Sequence, residues 1–215
     1  MEKLSKKVQA KIDSGREYRA FVSDMEITDE QEMIVEGYAT TFNQPYLLGS
    51  WDGYNIFEQV DRNAFAETDM TDVIMQYDHQ GRVFARNKNG TLELTVDARG
   101  LKVRANLGGT EIGRQLYQEI KGGYTDKMSF GFTVADDEFV ADDNGELRTI
   151  TKVGKLYDVS AVSIPANDAT SISARKFCEG VVAELETERE RAAEKRKKDI
   201  LRLKIKIQEN LTNEY

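Results

Sequence analysis

Three side chains in this sequence have the types needed for nucleophilic catalysis, and one of them is unique. His79 is the only histidine, set directly behind the apolar run Val73-Ile74-Met75-Gln76-Tyr77, so any imidazole chemistry passes through that residue. Further along, Ser129 sits between bulky neighbours in Lys127-Met128-Ser129-Phe130-Gly131-Phe132. Later still, Asp158 places a carboxylate inside the otherwise apolar stretch from Leu156 to Ile164. A hydroxyl, an imidazole and a carboxylate can act as nucleophile, base and orienting acid. Spacing alone does not establish that they meet.

Each of the three also has a plainer reading. With side chains alternating along a strand, Met128, Phe130, Phe132 and Val134 point into a core. Ser129, Gly131 and Thr133 then form a shallow outer face that an extended peptide could reach, with Gly131 allowing close backbone approach. A barrel strand whose outer face is merely small gives the same pattern. His79 stands where an apolar strand gives way to a polar turn, Gln80-Gly81-Arg82, a rigid platform for a base. A lone histidine is, however, more often an ordinary surface or half-buried residue. Asp158 is the sharper anomaly. Leu156, Ser160, Val162 and Ile164 share its face and Tyr157, Val159 and Ala161 the other, so the strand reads as central. A carboxylate there is costly unless paired; its partner could be an arginine, a backbone turn or the ring of His79.

Other chemistries fit less well. One histidine and one cysteine cannot make a structural zinc site. A calcium loop around Asp142 and Asn144 fails, because that register puts Val140 first and Thr151 last. No glycine-rich phosphate loop is present, and Ser129 lacks the Gly-x-Ser-x-Gly elbow of small-ester hydrolases. Cys178 lies past the core strands on a predicted helix, away from His79. Lys127 cannot serve Ser129 in a dyad, since adjacent strand residues face opposite ways. No cofactor or metal is implied.

The elements that must position these residues are mostly strands. Residues 1–13 read as a short polar helix ended by Gly15. Arg19–Val22 and Met33–Ala39 read as strands separated by a turn or loop from Asp24 to Glu32. A loop spans Pro45 to Gly53 and carries Trp51, and Asp61 is placed to cap a short helix through Phe65 and Ala66. Asn87-Lys88-Asn89-Gly90 and Ala98-Arg99-Gly100 then punctuate a β-meander, their glycines supplying positive φ. A helix follows, capped by Thr110, with Ile112, Leu116 and Ile120 on one face and Gly122-Gly123 as its stop. Asp142-Asp143-Asn144-Gly145 reads as a hairpin turn, and the Asp158 strand closes the body at Pro165. Asp168 could cap a helix reaching Phe177. Val181 to Leu211 reads as one long charged helix with a thin apolar stripe, marginal alone and suited to docking.

Composition narrows the function classes. At 215 residues and 40% apolar content, the chain has room for one core with appendages. No apolar run approaches the roughly 18 residues that span a bilayer, and no signal peptide is expected. The single cysteine forbids an internal disulfide and points to an intracellular setting. Nine acidic and nine basic residues balance between Glu179 and Tyr215, so the whole formal charge of −8 lies in residues 1–178. An acidic body without an aromatic-basic stripe is a poor nucleic-acid binder. The run Lys195-Arg196-Lys197-Lys198 reads as a solvated helix face. No membrane or nucleic-acid partner is expected.

Taken together, Glu36-Gly37-Tyr38-Ala39-Thr40-Thr41-Phe42, Tyr77-Asp78-His79, Met128-Ser129-Phe130-Gly131-Phe132 and Leu156-Tyr157-Asp158-Val159-Ser160 leading to Pro165-Ala166-Asn167 resemble a family. It is that of the prohead, or capsid maturation, serine proteases of tailed bacteriophages, of the HK97 type. The blocks run in family order from about Arg19 to Phe177. The resemblance implies a mainly β (α+β) fold: a closed antiparallel β-barrel surrounded by helices, herpesvirus-protease-like, with a long C-terminal helix. Residues 1–17 would form an arm, 18–178 the protease domain, and 179–215 a docking, oligomerisation or self-cleaved helix. It further implies Ser129 as nucleophile, His79 as general base and Asp158 as third member, where the family commonly has glutamate in an L-x-E-V-S block. The implied substrates are scaffold protein or a scaffold-like extension of the major capsid protein, cut inside the procapsid in the host cytoplasm by a homodimer or higher oligomer. A catalytically inactive assembly protein on the same fold is the alternative.

Overall fold

In this computed structural model the residues described are 16–21, 25–51, 53–141 and 145–163, together with helical residues at 183, 186–187, 190–191, 194–200 and 202. The chain divides into two compact units, residues 1–178 and 179–215. The expected helices at residues 1–13 and from Asp168 to Phe177 lie outside the described residues, as do Asp142–Asn144 of the expected turn, Pro165 and Cys178.

Strands dominate the first unit. In chain order they are β1 (Glu17–Phe21), β2 (Glu26–Asp29), β3 (Ile34–Thr41), β4 (Tyr46–Trp51), β5 (Tyr54–Val60), β6 (Ile74–Tyr77), β7 (Gln80–Arg86), β8 (Leu92–Val96), β9 (Gly100–Asn106), β10 (Lys127–Ala141) and β11 (Gly145–Val162). They build two sheets: β1-β10-β11-β5-β4 with β6 also on β11 and β7 on β6, and β2-β3-β9-β8. The mainly β expectation holds, but no closed barrel forms among the described residues, and the pairing is mixed rather than antiparallel. The reason lies in β11. Its outer edge serves two parallel neighbours in succession, β5 along Gly145–Ile150 and β6 along Asp158–Ala161, while its other edge pairs antiparallel with β10. The expected ring of helices reduces, among the described residues of this unit, to α1 (Glu111–Lys121) and one 3-10 turn, Asn87–Asn89.

The core gathers where the sheets and α1 face each other. Met128, Phe130 and Phe132 of β10 are fully buried, as are Leu101 and Val103 of β9. The rings of Phe130 and Phe132 stack at 4.4 Å. Helix α1 forms where its signals place it, with Thr110 Oγ1 accepting from Gly113 N at 3.0 Å. Its buried face is Gly113, Leu116, Tyr117 and Ile120, rotated slightly from the expected Ile112 stripe.

Several local expectations are overturned. The Asp24–Glu32 loop contains β2, and the Pro45–Gly53 loop contains β4. Both are outer strands of their sheets, so their partly polar sequences lack the alternation that signals a half-buried strand. Asp61 starts turns rather than a helix, its Oδ1 accepting from Asn63 N at 2.8 Å. The predicted meander breaks at Asn87–Gly90, where Gly90 takes φ 76°, because β7 belongs to one sheet and β8 to the other. Gly100 ends a true hairpin turn without positive φ; a Cβ there would strike the Thr40 carbonyl of the neighbouring strand.

The second unit is helical at its described positions, which are all exposed. Lys198 pairs with Glu194 at 4.0 Å one turn away. Such solvent-facing pairs contribute only tenths of a kcal/mol.

Candidate active site

The β10–β11 register sets Gly131 opposite Asp158 and Ser129 opposite Ser160, so these four residues share one face. On the flanks, Tyr18 of β1 stands beside Gly131 and Ala20 beside Ser129, while Gln76 of β6 stands beside Ser160. A ring carried over this face would reach both the hydroxyl and the carboxylate, which lie diagonally across it.

The turn between β6 and β7 carries that ring. Tyr77 pairs with Gln80, leaving Asp78 and His79 as a two-residue loop with φ of 47° and 58°. Two successive left-handed residues are the mark of a type I′ hairpin, and for non-glycine residues they cost energy. The turn is therefore Asp78-His79 itself, while the expected turn Gln80-Gly81-Arg82 is the start of β7. It is held in place from β11: Asp78 N donates to Ala161 O at 3.0 Å, and the Asp78 carboxylate accepts from Ser163 N and Oγ at 3.0 and 2.9 Å.

His79 meets both of the other nominated residues. Its Nδ1 lies 2.5 Å from Asp158 Oδ1 and its Nε2 lies 2.5 Å from Ser129 Oγ. Asp158 is fully buried and Ser129 is 2% exposed, while the His79 side chain is 16% exposed. The shallow open face expected around Ser129 is instead covered by this ring and by Tyr18, whose ring centroid lies 4.3 Å from that of His79. Gly131 does not leave room for a substrate backbone, as expected, but for Asp158: a Cβ there would collide with the carboxylate and with the Tyr18 ring. Ser160 Oγ donates to Asp158 Oδ1 at 3.0 Å, and Ser129 Oγ lies within donating distance of Arg19 O at 2.9 Å.

The other face of β1 carries a different assembly. Arg19 reaches Glu58 and Glu17, Arg148 reaches Glu17, Glu58 and Asp137, and Tyr46 donates to Glu58. Burial alone would raise the Glu17 carboxyl, but the charges of Arg19 and Arg148 outweigh it and hold it at about 2. Glu58 is lowered on the same balance: burial raises it, and the two arginines more than compensate. This cluster ties β1 to β5, β10 and β11 and so fixes the Arg19 carbonyl beside Ser129. No group of three or more His, Cys, Asp or Glu able to hold a metal occurs among the described residues.

This arrangement has the parts for proton transfer from a hydroxyl to an imidazole oriented by a carboxylate. A family model for the caudovirus prohead serine protease matches residues 21–181. The chain belongs to that family. It is similar to the prohead protease of Enterobacteria phage HK97, at 30% identity over 154 residues. That match covers 71% of this chain and 64% of the relative, so it spans less than two thirds of the relative's length. The solved structure of the bacteriophage T4 capsid assembly protease, gp21, aligns at a TM-score of 0.46 and 13% identity, over 70% of this chain and 98% of that one. The family expected from the sequence blocks is thus borne out, and His79, Ser129 and Asp158 all fall within the matched residues.

Sequence reasoning passed over Tyr18, Ser160 and the buried charges at Glu17, Arg19, Glu58 and Arg148. Ser160 had a signal, since it lies two residues from Asp158 and shares its face. The charges had a weaker one, the alternation Glu17-Tyr18-Arg19, which separates two charged residues from an aromatic one across a strand.

Proposed function

We propose that this chain is a serine endopeptidase of phage head maturation that uses Ser129, His79 and Asp158 as its catalytic triad. The observation that carries the reading is the unbroken line Asp158 Oδ1, His79 Nδ1, His79 Nε2, Ser129 Oγ, with both contacts at 2.5 Å. Donation of Nδ1–H to Asp158 fixes the tautomer in which Nε2 is a bare acceptor facing the hydroxyl. The Ser129 oxygen attacks a peptide carbonyl and its proton passes to Nε2. The imidazolium, stabilised by Asp158, returns that proton to the leaving amine. Water, deprotonated by the same nitrogen, then releases the acyl group. Backbone N–H groups suffice to receive the oxyanion.

The substrates are scaffold protein or a scaffold-like extension of the major capsid protein, and the site of action is the assembling procapsid in the host cytoplasm. Confinement raises the effective concentration of substrate, so weak recognition remains productive. The protease works as a homodimer or higher oligomer. The helix of residues 179–215 serves as the docking, oligomerisation or self-cleaved segment; deleting Gly180–Tyr215 should prevent incorporation into procapsids if it docks. Co-expression of Ser129→Ala or His79→Ala enzyme with scaffold and capsid protein tests the central claim. Unchanged scaffold processing would end it.

One observation favours a second reading, an inactive assembly or scaffold-binding protein. Ser129 is 2% exposed, and its one proton has two acceptors, His79 Nε2 and Arg19 O. A hydroxyl pledged to the carbonyl is at rest. A serine-directed phosphonate separates the readings, since a working triad captures it at Ser129 and a vestigial one leaves it free.

A further inference from the structure

We infer that Arg16 is a positioning residue for the Asp158–His79 pair, holding the carboxylate oxygen that His79 does not use and tempering the charge the ring experiences. Asp158 divides its two oxygens unequally. Oδ1 receives His79 Nδ1 and Ser160 Oγ. Oδ2 is buried and receives no hydrogen bond from the described residues. A carboxylate oxygen left this way is costly unless a charge offsets it. Arg16 Nη1 lies 3.7 Å from Oδ2, inside ion-pair range though beyond a hydrogen bond.

Arg16 is also held there. Its guanidinium carbon sits 3.8 Å from the centroid of the Tyr157 ring, the residue next to Asp158 on β11. A cation over an aromatic ring is attracted by its π face, and either arginine or lysine can supply that charge. Arg16 is 38% exposed while Asp158 is fully buried, so the guanidinium reaches the carboxylate from the protein surface.

The remaining neighbours leave this role to Arg16. From β1, Tyr18 contributes a ring against His79. From β10 come Ser129 and Gly131, and from β11 Ser160. The Asp78 carboxylate beside His79 is taken up by Ser163. Lys155, also over the Tyr157 ring, pairs with Asp69 at 2.9 Å. Arg16 and Tyr18 both precede residue 21, where the family match begins, so neither belongs to the matched segment.

The electrostatic consequence has a definite sign. The Asp158 carboxylate places a negative charge against the ring, and Arg16 offsets part of that charge. Without Arg16 the ring faces the carboxylate charge with no cation beside it.

The experiment uses a convenient property of this sequence: His79 is the only histidine, so the ring signals of the full-length protein belong to it without assignment. Their pH titration is followed by NMR in wild type and in the Arg16→Gln, Arg16→Ala and Arg16→Lys variants. The expected result is a midpoint raised by about 0.5–1 pH unit in Gln and Ala, and within about 0.2 of wild type in Lys. In parallel, fluorophosphonate capture at Ser129 should slow about three- to tenfold at neutral pH in Gln and Ala, with its acid limb displaced equally. A Gln midpoint matching wild type overturns the inference, as does a Lys midpoint that moves as far as Gln. The kinetic arm rests on the triad reading, but the titration does not. A wild-type chain that captures no phosphonate would sink the proposed function while the titration still decides the role of Arg16.

Discussion

The two faces of strand β1 hold charge in opposite ways. On one, Glu17 and Arg19 enter a buried cluster with Glu58, Arg148 and Asp137, in which the carboxylates face guanidinium groups at hydrogen-bond distance. On the other, Arg16 and Tyr18 overlook a carboxylate with one oxygen unbonded and a serine proton with two claimants. The first face is saturated, so it resists change and fixes the strand. The second is only partly satisfied: the Ser129 proton has a choice of two acceptors, His79 Nε2 and Arg19 O. A single strand, by alternating its side chains, joins the rigid assembly to the labile one.

If that contrast is real, substitutions on the two faces should fail differently. The largest effect belongs to the labile face. Ser129→Ala and His79→Ala should each reduce phosphonate capture at least about a thousandfold, and Ser129→Ala should leave the melting temperature within a few degrees of wild type. A large fall in the melting temperature of Ser129→Ala would mean that the serine is structural. Arg148→Met should do the reverse. It strands buried carboxylates and should cost about 3–5 kcal/mol of stability, measured by urea denaturation, with activity lost only as the fold is lost.

Gly131→Ala strikes the labile face from β10, because its methyl would displace the Asp158 carboxylate and the Tyr18 ring. Overpacking of this kind costs about 1–3 kcal/mol, and capture by Ser129 should fall as well, since His79 loses its orienting partner. Retained activity with retained stability would show that the carboxylate is not held where it must be.

Acid should attack the saturated face. Glu17 is lowered from 4.5 to about 2 when folded, and Glu58 is also lowered. A depressed carboxyl contributes its stability above the unfolded value and loses it as pH falls through the folded one. Stability should therefore be flat from neutral pH to about 4.5 and decline from there towards about 2. A thermal-melt series should place the decline in that window. In Arg148→Met, where the carboxyls have lost much of their reason to stay ionised, the decline should be shallower.

How much of this was legible beforehand differs by element. The hairpin at Asp97–Gly100 and the helix capped by Thr110 could be read because their signals are local: a turn residue, a cap, a helical stripe. The strands β2 and β4 could not, since outer strands with polar faces lack alternation. Nor could the break at Asn87–Gly90, because a turn signal does not say whether the strands it joins share a sheet. The site divides the same way. The types of His79, Ser129 and Asp158 were visible, and the resemblance of their blocks to the family ordered them. Arg16, Tyr18 and the Gly131–Asp158 fit depend on pairing between β1, β10 and β11, strands far apart in sequence. No local pattern encodes that register.

The smallest expected effect tests the departure from the family's sequence pattern. The resemblance implies glutamate at the position of Asp158, so Asp158→Glu is a restoration by that resemblance and a perturbation by structure. The extra methylene has nowhere to go: Asp158 is fully buried, backed by Gly131 and Tyr18, and already within 2.5 Å of His79 Nδ1. The longer side chain must bend away, giving up either Ser160 or Arg16, and the ring then turns with less constraint. Misplacement on this scale should lower phosphonate capture about tenfold, far less than loss of the serine or the histidine. Pairing Asp158→Glu with Arg16→Gln sharpens the test. If the longer acid has already surrendered the guanidinium, the second substitution should add almost nothing. If the two losses multiply, the shorter acid and the arginine act on His79 independently, and the labile face contains two separate restraints rather than one.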